Sequence, residues 1–156
     1  MKKILFVCLG NICRSPAAEG VFVNYITKNN LGAKYIVDSA GTVGNHVGEL
    51  PDPRTRKSAL KHGIELTTRS RKLETIDLEN FDYILCMDKS NLVNVKSLDP
   101  QGLFTHKIQL FTDFRVNLNF TEVPDPYFGT EKDFDQVMDI VIDSCQGFLK
   151  YLGEKI

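Results

Sequence analysis

KILFVCLGNICRSP, residues 3–16, decides the fold of this chain. Residues 3–8 form a short, uninterrupted apolar run, which is typical of a strand that is buried on both faces. Ser15 is a favourable N-cap and Pro16 suits the first helical position, so we predict that a helix begins here. The apolar side chains that follow recur at helical spacing, at Ala18, Val21, Phe22, Tyr25 and Ile26.

The rest of the chain repeats this alternation of strand and helix. Further strands are predicted over 35–41, 82–88 and 107–111. Helices are predicted over 53–63, near 75–80, over 90–98 and from residue 131 onward. This order predicts an α/β fold of the flavodoxin or Rossmann-like type, with a four-stranded parallel sheet and helices on both faces. Ligands of such folds bind beyond the carboxyl ends of the strands.

The bulk properties narrow the possible functions. With 156 residues, the chain is expected to form a single domain over 1–156. Its formal net charge of −1 gives no global attraction to nucleic acid or to an anionic membrane, so we expect neither as a partner. MKKILFVCLG is a poor match to a signal peptide, and we expect a cytoplasmic protein. The four cysteines are then free thiols, and their spacing matches no zinc site: Cys8, Cys13, Cys86 and Cys145.

The loop that follows the first strand has the composition of an anion-binding site. Gly10 and Asn11 tolerate unusual backbone angles, so successive N–H groups can point inward beside a helix N-terminus. Arg14 adds a planar fork that can hold two phosphate oxygens. These positive groups also stabilise a thiolate at Cys8, which could attack phosphorus. The sequence therefore predicts a phosphate-binding loop between the first strand and the first helix.

Four motifs resemble those of the low-molecular-weight protein tyrosine phosphatases. They occur in the family's order and span nearly the whole chain: VCLGNICRSPAAE from residue 7, DSAGT at 38–42, CMDKSN at 86–91 and DPYFG at 125–129. Cys-x-Gly-Asn-x-Cys-Arg-Ser-Pro between a strand and a helix is far more specific than Cys-x5-Arg alone. The resemblance implies hydrolysis of phosphotyrosine in proteins, and of small aryl phosphates, through a phosphocysteine intermediate.

The resemblance also implies the catalytic roles. Cys8 is the nucleophile and Arg14 holds the phosphoryl oxygens, while Asp125 is the general acid and then the base. Asp52 also lies between two prolines, and only the Tyr-Phe-Gly continuation after Pro126 favours Asp125. Since the reaction needs a thiolate and a protonated carboxyl together, we expect kcat/KM to be highest on the acidic side of neutrality. The substrate-binding backbone is that of Leu9, Gly10, Asn11, Ile12 and Cys13.

Supporting side chains are carried over from the same resemblance. Asn11, Ser15 and Ser39 match a hydrogen-bond network that holds the loop open, although Ser39 is nearly as well explained as a plain strand-end hydroxyl. Ser15 is also expected to donate a hydrogen bond to the sulfur of Cys8. Asp88 either orients the guanidinium of Arg14 or caps the helix that follows it.

The remaining implied roles concern oxidation and the rim of the site. Cys13 is expected to form a reversible disulfide with Cys8, unless it merely packs. Tyr127 is expected to form one wall of a phosphotyrosine slot, and Asn45 with His46 the opposite wall. This chain departs from some relatives by lacking a large aromatic at 45–46. It departs from many by having Phe128 where they have a second tyrosine.

Three alternatives remain at this point. Arsenate reductases share the loop but need a further cysteine pair, and Cys86 has no partner a few residues on. Protein arginine phosphatases have threonine where this chain has Ile12, and an apolar side chain disfavours a guanidinium-bearing substrate. A non-catalytic phosphate-binding module would lack the nucleophile or the acid. We expect phosphotyrosine-containing proteins as partners, inorganic phosphate as the product, no cofactor, no metal and a monomeric enzyme.

Overall fold

The computed structural model describes residues 1–155 and contains the predicted sheet. All four strands are parallel, in the order β2-β1-β3-β4. Their bounds are β1 Lys2–Cys8, β2 Tyr35–Gly41, β3 Tyr83–Cys86 and β4 Ile108–Leu110. The last two are shorter than predicted because the chain turns into helix caps and loops directly beyond them. This strand order is that of flavodoxin-like folds, and the predicted fold class is confirmed.

Five helices connect and cover these strands. They are α1 Arg14–Lys28, α2 Pro53–Leu60, α3 Thr75–Asn80, α4 Lys89–Lys96 and α5 Glu131–Tyr151. The predicted N-cap of α1 is wrong, because Cys13 occupies that position and Ser15 lies inside the first turn. The Ser15 hydroxyl instead contacts the sulfur of Cys8, at 3.0 Å. Of the described helices, none has the length and apolar character that a bilayer crossing requires.

Two hydrophobic clusters cover the two faces of the sheet. Ile4 and Phe6 of β1 point into the cluster formed with α1 and α5, where Phe22 and Phe148 pack with ring centroids 5.8 Å apart. Leu5 and the other alternate residues of β1 point into the opposite cluster, which contains Leu78 of α3 and Val95 of α4. Successive strand residues face opposite sides, so a buried parallel strand is apolar throughout.

The strand register places three chemically important segments at one edge of the sheet. Cys8 ends β1 and pairs with Gly41, which ends β2. Beyond β3, Asp88 begins the next helix. Because the strands are parallel, their carboxyl ends meet at this edge, where the loop of residues 9–13 also lies.

Candidate active site

The Cys8 sulfur lies at the floor of the loop between β1 and α1. Its residue is only 2% exposed. The backbone N–H of Asn11 points at the sulfur from 3.3 Å, and the Ser15 hydroxyl lies 3.0 Å away. Both groups can donate to a thiolate, and the N-terminus of α1 adds its partial positive charge. A thiolate at Cys8 would therefore have two hydrogen-bond donors within contact distance.

The Asn11 side chain holds the loop in shape. Its backbone has φ of 57°, a left-handed conformation that few residues other than glycine adopt. The amide nitrogen donates to the hydroxyl oxygens of Ser15, at 2.8 Å, and Ser39, at 2.9 Å. The amide oxygen accepts from the backbone N–H of Arg71, at 3.0 Å. Asn11 is therefore hydrogen-bonded to both of the serines that were predicted to form a network with it.

Glu19 extends this network and was missed by the sequence reasoning. The Ser39 hydroxyl donates to its carboxylate at 2.5 Å, and the Thr68 hydroxyl lies 3.4 Å away. The residue is 5% exposed, and this burial raises the pKa of Glu19 to about 7, despite the hydrogen bond from Ser39. In the sequence, Glu19 could have been noticed as the single carboxylate among the apolar positions of α1.

The directions of these hydrogen bonds follow from the donors available. Each serine hydroxyl accepts a hydrogen bond from Asn11, and each has one hydrogen of its own to donate. Ser39 donates its hydroxyl hydrogen to Glu19, and Ser15 can donate its own to the Cys8 sulfur. The network therefore presents a donor, rather than a lone pair, to a thiolate.

Gly41 lets β2 approach the loop closely. A Cβ atom at this position would lie 2.7 Å from the Leu9 carbonyl oxygen and 2.9 Å from the Gly10 carbonyl carbon. Both are backbone atoms, which cannot swing aside as a flexible side chain could. The segment 70–73 adds a second support, since the Ser70 hydroxyl donates to the Gly10 carbonyl oxygen at 3.0 Å. Sequence reasoning missed both contacts.

Arg14 is buried and held by acceptors on several sides. Its guanidinium donates to Asp88, at 2.5 Å, and to the Val123 carbonyl oxygen, at 3.1 Å. Asp125 lies 3.7 Å from the other terminal nitrogen. Burial opposes the charge of Arg14, but the negative charges of Cys8, Asp88 and Asp125 outweigh it and raise its pKa. The guanidinium is therefore a fixed cation beside the loop.

Asp88 has both of the roles that the sequence left open. One carboxylate oxygen accepts from Arg14. The other accepts from the backbone N–H of Asn91, at 2.7 Å, and so caps α4, while Asn91 returns a side-chain contact to the Asp88 backbone. The cap fixes the carboxylate that orients Arg14.

The two aspartates that lie between prolines have different environments. Asp52 is buried, caps α2 by accepting from the backbone N–H of Arg54 at 2.9 Å, and also pairs with its guanidinium. The hydrogen bonds from Arg54 outweigh burial and lower the pKa of Asp52. Asp125 has a side chain that is 44% exposed, and it lines the same cavity as Cys8. Of the two, only Asp125 is placed to exchange a proton with a ligand in that cavity.

Cys13 lies at the N-cap of α1 and lines the same cavity as Cys8. Burial raises the pKa of Cys13 to about 12, with a smaller contribution from the nearby carboxylate of Asp52. Cys13 is therefore a neutral thiol at physiological pH. Both cysteines are free thiols in this structure, and their disulfide stays a prediction.

A cavity of about 260 Å³ opens above the loop. One wall carries Tyr127 and Phe128, and His46 faces Tyr127 with ring centroids 6.4 Å apart. The His46 ring also contacts Glu49, at 2.6 Å. Among residues 1–155, no group of three or more His, Cys, Asp or Glu side chains is arranged to hold a metal ion. The predicted residues that line the cavity are Cys8, Leu9, Gly10, Ile12, Cys13, Arg14, Asn45, His46, Asp125 and Tyr127.

Four predicted residues lie behind this cavity rather than in its wall. Asn11, Ser15 and Ser39 support the loop from within, and Asp88 supports Arg14. Their side chains act on a ligand through the groups that they position.

Comparison with known proteins identifies the family. A family model described as low molecular weight phosphotyrosine protein phosphatase matches residues 3–156. The chain belongs to this family. The predicted resemblance and enzyme class are thereby confirmed.

Members of this family match the chain over almost their entire length. The low molecular weight phosphotyrosine protein phosphatase of Schizosaccharomyces pombe is 46% identical over 152 residues, covering 97% of this chain and 97% of that protein. The human protein of the same name is 39% identical over 150 residues, covering 96% and 94%. A crystal structure of protein tyrosine phosphatase from Entamoeba histolytica superposes with a TM-score of 0.94 at 44% identity, covering 98% and 97% of the two chains.

Proposed function

We propose that this chain hydrolyses phosphotyrosine in proteins through a phosphocysteine intermediate on Cys8. One observation carries the proposal: Cys8, Arg14 and Asp125 line a single cavity above a loop whose Asn11 N–H points inward. A nucleophile, a fixed cation and a proton donor are the groups that phosphoryl transfer from an aryl ester requires.

In the first step, the Cys8 thiolate attacks phosphorus. An S–P bond forms while the P–O bond to the tyrosine ring breaks, and Asp125 gives its proton to the departing phenolate oxygen. The Arg14 guanidinium and the inward N–H groups of the loop hold the equatorial phosphoryl oxygens and their developing charge. Asp88 fixes Arg14 in this position, because its carboxylate accepts from the guanidinium and also from the Asn91 N–H at the start of α4.

In the second step, water hydrolyses the phosphocysteine. Asp125, now a carboxylate, takes a proton from the water as its oxygen bonds to phosphorus. The S–P bond breaks, inorganic phosphate leaves and the thiolate returns. The Ser15 hydroxyl stabilises the leaving sulfur by donating to it, which is the direction that the Asn11 network leaves free.

The walls of the cavity favour an aryl ester. Tyr127 and His46 both line the cavity, and a phosphotyrosine ring that enters it can pack against the flat face of Tyr127. Ile12 adds an apolar side chain to the lining, which suits a phenyl ring better than a guanidinium. Cys86 is fully buried in the core beneath the sheet edge, and such a thiol is poorly suited to relaying electrons to arsenate.

The test is phosphate release from a phosphotyrosyl peptide, measured with the reduced protein in the presence of a chelator. We expect the wild type to release phosphate and Cys8→Ser to release none. Cys145→Ala, which removes a buried thiol that does not line the cavity, is the matched control and should retain activity. Equal release by the wild type and Cys8→Ser would contradict the proposal.

A further inference from the structure

Phe128 is the most exposed of the large apolar residues within 1–155, with 98% of its surface accessible. It lies at the mouth of the catalytic cavity and belongs to its lining. Its ring lies nearly perpendicular to that of the neighbouring Tyr127, at 5.0 Å between centroids. A phenyl ring so placed exposes apolar surface to water at the point where a substrate enters.

The backbone turn that carries this ring is held in place by hydrogen bonds. The Gly129 N–H donates to the Pro126 carbonyl oxygen at 2.8 Å, which closes a turn with Tyr127 and Phe128 at its tip. Arg54 anchors the turn, since its guanidinium donates to the Tyr127 carbonyl oxygen at 2.9 Å and lies 5.3 Å from the Tyr127 ring centre. The exposed ring therefore stands on a turn that is tied to the body of the protein.

The catalytic cavity determines what can cover this ring. A phosphotyrosine that is anchored at Cys8 and Arg14 leaves its own polypeptide outside the cavity, crossing the mouth beside Tyr127. Phe128 continues the same wall outward. An apolar side chain next to the phosphotyrosine can therefore pack on the Phe128 ring and remove its surface from water.

We propose that Phe128 is a specificity-determining contact that selects substrate proteins with a large apolar residue directly before or after the phosphotyrosine. This inference rests on the proposed function. It assigns to Phe128 a contact with a side chain that flanks the phosphotyrosine in the substrate, rather than with the phosphotyrosine itself.

The experiment compares three short phosphotyrosyl peptides, in which the residues flanking the phosphotyrosine are Gly and Gly, Leu and Gly, or Gly and Leu. For the wild type we expect one of the leucine peptides to have a kcat/KM about five-fold above the Gly-Gly peptide, as suits a partly buried leucine. Phe128→Ala should bring this ratio close to one, and Phe128→Leu should retain most of it. A general loss of turnover in a variant cancels in the ratio.

Leu103→Ala is the matched control, because Leu103 is also an exposed apolar side chain but does not line the cavity. It should leave the ratio as in the wild type. Equal kcat/KM for all three peptides in the wild type, or a leucine preference that survives in Phe128→Ala, would overturn the inference while leaving the proposed function intact. If the wild type hydrolyses none of the peptides, the proposed function fails and this inference fails with it.

Discussion

Cys8 and Cys13 lie in the same loop region but in opposite chemical environments. Cys8 receives the Asn11 N–H and the Ser15 hydroxyl, which stabilise a thiolate. Cys13 is buried at the N-cap of α1, and burial raises its pKa to about 12. At the residue scale, the local donors therefore favour Cys8 over Cys13 for the nucleophilic role that we propose.

The proposed role of Asp125 as general acid can be tested at this scale by replacing its carboxyl group. Asp125→Asn cannot protonate the leaving oxygen, so we expect kcat/KM for phenyl phosphate, which reports the first step, to fall by roughly 10²–10⁴-fold. p-Nitrophenyl phosphate has a leaving group that needs little protonation, and its kcat/KM should fall much less. Steady-state kinetics on the two esters measures this difference in leaving-group dependence.

Asp52→Asn is the matched control for Asp125→Asn, because Asp52 also lies between two prolines. It keeps an acceptor for the α2 N-cap and loses only the charge pairing with the half-exposed Arg54, so it should leave the leaving-group dependence as in the wild type. If Asp125→Asn lowered kcat/KM equally for both esters, Asp125 would not be the general acid.

At the scale of secondary-structure elements, the carboxyl end of β2 determines the shape of the phosphate-binding loop. Gly41→Ala would place a methyl group 2.7 Å from the Leu9 carbonyl oxygen and 3.0 Å from the Asn11 nitrogen. We expect kcat/KM to fall more than ten-fold and stability to drop by about 1–3 kcal/mol, as for other overpacked sites. Kinetics and thermal unfolding measure the two effects.

Gly32→Ala is the control for Gly41→Ala, because a Cβ at Gly32 meets no atom within 4 Å. It should keep wild-type kinetics. Wild-type kcat/KM in Gly41→Ala would show that the loop does not depend on close contact with β2.

The elements themselves could be predicted from the sequence because their signals are local. The apolar run of residues 3–8 and the amphipathic pattern after residue 131 each identify one strand or helix by spacing alone. The N-cap of α1 was predicted wrongly because capping preferences consider only neighbouring residues and assign the Ser15 hydroxyl to the helix backbone. In the structure this hydroxyl contacts the sulfur of Cys8, seven positions earlier. The loop's support from Gly41 and segment 70–73 could not be predicted, since it depends on packing between residues up to 60 positions apart.

At the scale of the whole molecule, a chain of hydrogen bonds connects Cys8 to a second cavity. It leads from Cys8 through Ser15, Asn11 and Ser39 to Glu19. The second cavity, of about 240 Å³, lies between α1 and residues 63–68 and includes Glu19 in its lining. The ionisation of this buried carboxyl therefore affects the stability of the molecule as well as the site that it supports.

The pH dependence of stability follows from the pKa of Glu19. Burial raises this pKa from its ordinary value of 4.5 to about 7. Between these values the folded protein keeps a proton that the unfolded chain releases, so folding loses stability as the pH rises from about 4.5 to about 7. Glu19→Gln cannot ionise and escapes this loss, while every other titrating group contributes equally to both proteins.

We therefore expect the free energy of unfolding of Glu19→Gln, relative to the wild type, to increase by up to about 3 kcal/mol between pH 4.5 and pH 8. Urea unfolding at the two pH values measures the change. Glu79→Gln, which alters an exposed carboxylate on α3, is the control and should show no such trend. A difference between Glu19→Gln and wild type that is the same at both pH values would mean that folding does not raise the pKa of Glu19, and that the carboxyl at the end of the Cys8 network is charged at neutral pH.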